Sequence, residues 1–204
     1  QRDPDDDQDA EQDDEDEQRH RDVHGYEVGQ QRGGDIADGA AGTADAHGLL
    51  HRLRHADGFD HRFRADAVGH VNNREYLRWM EAIAVEHSAV QGWPMERYFE
   101  QRTAWFAASH FIEYLRPAQD GDALDVFTWI AEWHARTCLR RYAIQRDRKL
   151  LARGETVWTF VDLDRGRARD IPASVLEAFA VVPEDDAELR RLNLARRERR
   201  TARN

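Results

Sequence analysis

Residues 72–92 read NNREYLRWMEAIAVEHSAVQG, and this stretch decides what kind of domain the chain builds. Tyr76, Leu77, Met80, Ile83, Ala84, His87 and Val90 recur at intervals of three and four, the period of an α-helix. Trp79, Ala82, Val85 and Ala89 widen the apolar stripe, so the helix is expected to be covered on most sides. Asn72 or Asn73 offers an N-cap. Gly92 suits a left-handed stop, and Pro94 forbids continuation. The pattern therefore predicts a helix over residues 74–91.

On its C-terminal side, past a turn near residues 95–101, come four long stretches rich in β-branched and aromatic residues, at about 103–115, 122–134, 136–147 and 150–163. They are joined by short turn signals, as at Asp147-Arg148 and Asp164-Arg165-Gly166. Short links between long strands mean antiparallel pairing. Residues 60–66 are a short, polar strand candidate ahead of the helix, and Ile171-Pro172 opens a last helical turn over 173–179. One apolar helix against one curved sheet of about five strands is an α+β layer. Trp129 and Trp133 are expected on the uncovered side of that sheet, where a second copy of the chain would hide them, so a homodimer or homotetramer is expected.

The flanks have a different texture. The chain has 204 residues and net charge −10, yet residues 1–20 alone hold eleven acids against two arginines. The remainder is near neutral, which argues against a nucleic-acid partner. Residues 1–48 lack Phe, Trp, Met and Leu and cannot bury enough apolar surface to offset ~1–2 kcal/mol of backbone entropy per residue. The domains are accordingly read as 1–58, an acidic low-complexity disordered extension; 59–182, the folded domain; and 183–204, an arginine-rich tail. His47, His51 and His55 would share one face of a helix, but Gly48 and Gly58 flank them, so a polar, weakly helical linker is expected and no metal site. Leu189, Leu192 and Leu194 stand among the arginines of the tail, in a short basic helix or a solvated end. No uncharged apolar run approaches the ~18 residues of a membrane span. Cys138 is the only cysteine, so no internal disulfide forms. An acidic N-terminus without an apolar segment does not read as a signal peptide, and a cytoplasmic location is expected.

The most specific stretch is Asp66-Ala67-Val68-Gly69-His70-Val71-Asn72-Asn73-Arg74-Glu75-Tyr76. It resembles the Asp-x-x-Gly-His-Val-Asn-Asn-x-x-Tyr signature of hotdog-fold acyl-CoA thioesterases of the 4-hydroxybenzoyl-CoA thioesterase type. Tyr114-Leu115-Arg116-Pro117-Ala118 with Gly121-Asp122 resembles that family's strand end and turn, and Trp158 to Leu163, then Gly166 and Ile171-Pro172, its last strand and exit. The resemblance spans about residues 60–180 and agrees with the α+β reading. It implies a hotdog fold, a site at a subunit boundary, no cofactor, and Asp66 as the catalytic carboxylate. Arg64 stands where family members often carry an acid, and Asn73 where some carry a histidine.

Thioester hydrolysis needs a nucleophile and a stabiliser for charge on the carbonyl oxygen. A carboxylate serves as general base on water or attacks the carbonyl itself. A helix N-terminus exposes unpaired N–H groups and the positive end of a dipole. Asp66 and the N–H groups near Val71, Asn72 and Asn73 are thus the expected base or nucleophile and oxyanion hole. His70 is expected to pack and hydrogen-bond in the loop, and Tyr76 to lie in the core with its hydroxyl reaching the loop. Glu81 reads as a solvated helix residue, and Cys138, mid-strand, lacks a partner base. The leading function is an acyl-CoA thioesterase. The alternatives are a non-catalytic acyl-CoA-binding or regulatory hotdog protein and an acyl-carrier-protein thioesterase; against the latter, Val68 stands where an Asn is expected.

Overall fold

The computed structural model describes residues 43–44, 50–55, 69–119 and 121–195. Its central element is helix α1 (Asn73–Val90). Tyr76, Trp79, Met80, Ile83, Ala84 and His87 form its buried stripe. Leu77 and Val90, expected in the stripe itself, and Val85, expected to widen it, are exposed, so one face of the helix is covered and not most of it. Gly92 follows with φ +81°, the left-handed stop expected. The segment after it is not a turn: Met95–Glu100 form a short helix, α2, started by Pro94. Burial of Tyr98 against Trp93, ring centroids 5.1 Å apart, favours the helical winding.

The sheet contains β1 (Thr43–Ala44), β2 (His51–His55), β3 (Thr103–Tyr114), β4 (Leu124–Trp133), β5 (Thr137–Arg146), β6 (Lys149–Asp162) and β7 (Arg167–Ala168). Its order is β1-β2-β4-β5-β6-β3, with β7 beside β6 and every named pair antiparallel. Leu124, Val126, Tyr142, Ile144 and Ala152 pack with the buried stripe of α1, so the inner face of the sheet wraps the helix. This is the α+β hotdog arrangement expected. Gly154 on β6 makes room for the end of the Met80 side chain, since a Cβ there would lie 2.7 Å from Met80 Sδ. Helix α3 (Ala173–Ala178) closes one end of the core with Ile171, Val175 and Phe179.

Two segments differ from expectation. The strand that pairs with β4 is His51–His55, where a weakly helical linker was expected; the 60–66 candidate lies outside the described residues, as do His47 and residues 1–42. His51 alternates inward to a fully buried site, and Arg52 lies at 2.8 Å from Asp125 and over the Phe127 ring. A strand satisfies both sides of that alternation, and a helix does not. The C-terminal residues are also not a solvated tail as far as Ala195. Val182 N–H donates to the Ile130 carbonyl at 2.9 Å, and α4 (Ala187–Arg191) follows, capped by Asp186. Val182, Leu189 and Leu194 bury against Phe127, Trp129 and Leu150 on the outer face of the sheet. Gln145 Nε2 donates to the Leu192 carbonyl at 2.8 Å and fixes the segment. Trp129 is therefore covered by its own chain, and Trp133 packs on Phe179, so neither calls for a second copy.

Replacing Gly154 by Ala is expected to lower stability by ~1–3 kcal/mol, the usual cost of overpacking a core. Thermal melts check it, and combining Gly154→Ala with Met80→Val should recover part of the loss.

Candidate active site

The approach to α1 is fixed by backbone groups. His70 forms an antiparallel bridge with Gln119, and Val71 N–H donates to the Ala118 carbonyl at 2.9 Å. Ala118 N–H in turn donates to Tyr76 Oη at 3.2 Å. Both polar groups of one fully buried alanine thus clamp the start of the helix to the turn after β3. The turn is braced from below: Gln119 N–H donates to Asp122 Oδ2 at 2.7 Å, and Arg146 holds the same carboxylate oxygen.

Asn72 has extended backbone and caps the helix. Its Oδ1 accepts from Arg74 N–H at 3.0 Å, and its carbonyl accepts from Glu75 N–H at 2.9 Å. The N–H of Val71 is engaged with Ala118 and is not available to a ligand, which corrects its expected place in an oxyanion hole. The N–H groups of Asn72 and Asn73 have no hydrogen-bond partner among the described residues. Beside them lies a cavity of about 270 Å³ lined by His70, Val71, Asn73, Tyr76, Tyr114 and Arg116. An oxygen carrying negative charge is stabilised at such a place by free N–H groups and by the positive end of an 18-residue helix.

Burial raises the Tyr76 phenol above its ordinary pKa, against the Ala118 N–H bond, which lowers it. The ring therefore stays neutral near pH 7, and its own proton remains free to donate while Oη accepts. Tyr114 meets it edge-on at 5.0 Å, and its phenol is likewise pushed up by burial. Asp66 lies outside the described residues, three positions before Gly69 in the chain. Cys138 is buried, and desolvation lifts its thiol to about 11, so it stays protonated at neutral pH and is no nucleophile. Glu81 is exposed and borders a different cavity. Tyr114 and Arg116 were legible only as part of a strand end. Their place beside the helix start depends on the long-range contact through Ala118.

A sequence profile described as Thioesterase-like superfamily matches residues 61–179, more than half of the chain. No curated protein sequence matches. Among solved structures, a hypothetical protein from Thermus thermophilus is 26% identical with TM-score 0.57, over 63% of this chain and 95% of its own. A thioesterase from the same organism, solved with coenzyme A and zinc, is 22% identical with TM-score 0.54, over 65% and 92%. A 1,4-dihydroxy-2-naphthoyl-CoA thioesterase from Synechocystis is 18% identical with TM-score 0.56, over 63% and 94%.

Tyr76→Phe removes the acceptor of a buried N–H group and is expected to cost ~1–3 kcal/mol. A melting temperature equal to that of the parent protein would mean that this hydrogen bond does not hold the clamp.

Proposed function

Because the chain belongs to the thioesterase-like superfamily, its class is that of a thioester hydrolase, and we propose that it cleaves acyl-CoA to free acid and CoA, in the manner of the 4-hydroxybenzoyl-CoA thioesterase type. The observation that carries this reading is the pair of N–H groups at the helix start, without a partner among the described residues and beside an open cavity. In the proposed reaction the thioester carbonyl oxygen accepts from the N–H of Asn72 and Asn73. Asp66 either takes a proton from water as the water attacks the carbonyl carbon or attacks it directly. Negative charge gathers on the carbonyl oxygen as the tetrahedral intermediate forms, where the helix start stabilises it more than in the ground state. The C–S bond then breaks, and CoA leaves as the thiolate and takes up a proton; on the direct route, water next hydrolyses the mixed anhydride left on Asp66, which releases the free acid and restores the carboxylate. His70 and Tyr76 support the site by holding the approach to the helix. Arg116 offers a cation for the phosphates of CoA, and the rings of Tyr76 and Tyr114 offer apolar wall to the acyl group. Among the described residues no helix is long and apolar enough to cross a membrane. A buried free thiol at Cys138 fits a reducing compartment, and we place the protein in the cytoplasm.

We also propose a homodimer formed through β3. This strand ends the sheet, and Phe106 and Phe111 on it are 54% and 52% exposed. A long apolar edge strand is a surface that native proteins cover.

Two outcomes follow. Asp66→Asn should lower kcat for thiol release from acyl-CoA by about 10²–10⁴-fold while melting stays close to the parent's; a lower melting temperature with kcat intact would make Asp66 a structural residue. Phe106→Glu with Phe111→Glu should convert a dimer to a monomer in sedimentation velocity, and a parent protein that is already monomeric would remove the dimer.

A further inference from the structure

A second cavity, about 100 Å³, opens between α1, α2 and the inner face of the sheet, away from the helix start. Its walls include Trp105, Trp133, Trp158 and Phe179, and one of its lining residues is Arg140. A guanidinium among these aromatic walls is unexpected, because Arg140 is only 6% exposed. Its Nη1 donates to His87 Nδ1 at 2.9 Å and lies 3.3 Å from Thr128 Oγ1. His87 accepts at Nδ1, so its proton sits on Nε2 and the ring supplies no negative charge. His51 stacks on His87 at 5.5 Å, and Glu86 Oε1 lies 3.2 Å from His51 Nε2 without a hydrogen bond to it and forms no ion pair with the arginine. Among the described residues no carboxylate stands within ion-pair distance of Arg140, and its Nε and Nη2 have no hydrogen-bond partner.

A buried cation without a counter-charge is costly. Nε and Nη2 form one edge of the guanidinium, and that edge is the fork a carboxylate takes with two parallel hydrogen bonds. We propose that this cavity binds a carboxylate carried on an apolar body, with Arg140 as the anchor and the aromatic walls holding the body. Two sources carry that chemistry: a free carboxylic acid, and the far end of an acyl chain that bears a second carboxylate. The cavity is flanked by Glu81 to Ser88 of α1, eight to fifteen residues from Asn73. At 1.5 Å per residue this is ~12–22 Å along the helix, so an acyl group held at the helix start of the same chain reaches it only if long. The acyl source rests on the thioesterase reading; the binding of a free acid does not.

The test uses the full chain, with benzoate and its uncharged analogue benzamide as probes, read by tryptophan fluorescence. Benzoate should bind at least tenfold tighter than benzamide, and Arg140→Gln should abolish that preference, with Arg140→Lys keeping part of it. Equal binding of the two probes to the parent protein overturns the proposal, even if the variants do not fold. So does a benzoate preference that survives Arg140→Gln. The sources are separated by kcat/KM for dodecanedioyl-CoA against dodecanoyl-CoA. A tenfold or greater preference that disappears in Arg140→Gln assigns the acyl chain, and no preference alongside tight benzoate binding assigns the free acid. Failure to cleave any thioester would remove the enzymatic reading and leave the benzoate result standing.

Discussion

The contact on which the structure depends is the seat of α1 on the inner face of the sheet, where the end of the Met80 side chain lies over Gly154. Once the helix lies there, its first turn is level with the turn after β3, and Ala118 can bond Val71 on one side and Tyr76 on the other. The N–H groups of Asn72 and Asn73 lack a partner among the described residues for a geometrical reason. The cap supplied by Asn72 reaches only the residues after it, and the clamp reaches only the residue before it. A close-packed interior thus fixes the position of an exposed polar feature, which is how a rigid scaffold prepares a site without reorganisation during reaction.

The two faces of the sheet are treated differently. The inner face holds the helix and, toward its far end, a polar group of His51, His87, Thr128 and Arg140. The outer face is closed by residues 182–195 of the same chain, with the Arg141–Glu184 ion pair at 2.7 Å at the margin of that cover. Among the described residues, the β3 edge keeps exposed apolar side chains, Phe106 and Phe111 among them. Apolar surface remaining after self-coverage is a sharper guide to assembly than the aromatic content of the strands.

The helix and the four long strands were legible because each carries its own period. Asn72 as cap and Gly92 as stop are local features, and the structure places them there. The expectations that failed depended on partners distant in sequence. Residues 51–55 look like a polar linker until β4 supplies five paired positions. Leu189 and Leu194 look like isolated leucines in a basic tail until Phe127 and Trp129 lie beneath them. Trp129 was expected to need a second chain because its cover is more than fifty residues away. At the site, the residue types at the helix start were readable, but the engagement of Val71 N–H was not, since it is decided by the turn at Ala118. Arg140 gave no signal at all: arginine in a strand reads as solvent-facing, and only the register shows it turned toward α1.

In the proposed reaction, the start of α1 polarises a thioester carbonyl. Difference infrared spectroscopy of Asp66→Asn protein with acyl-CoA labelled with ¹³C at the carbonyl observes that bond directly, because hydrogen bonds from N–H groups and the positive end of a helix would weaken the C=O. The carbonyl band of the bound thioester is expected to move to lower frequency than in water. A bound thioester whose carbonyl band stays where it is in water would contradict that polarisation.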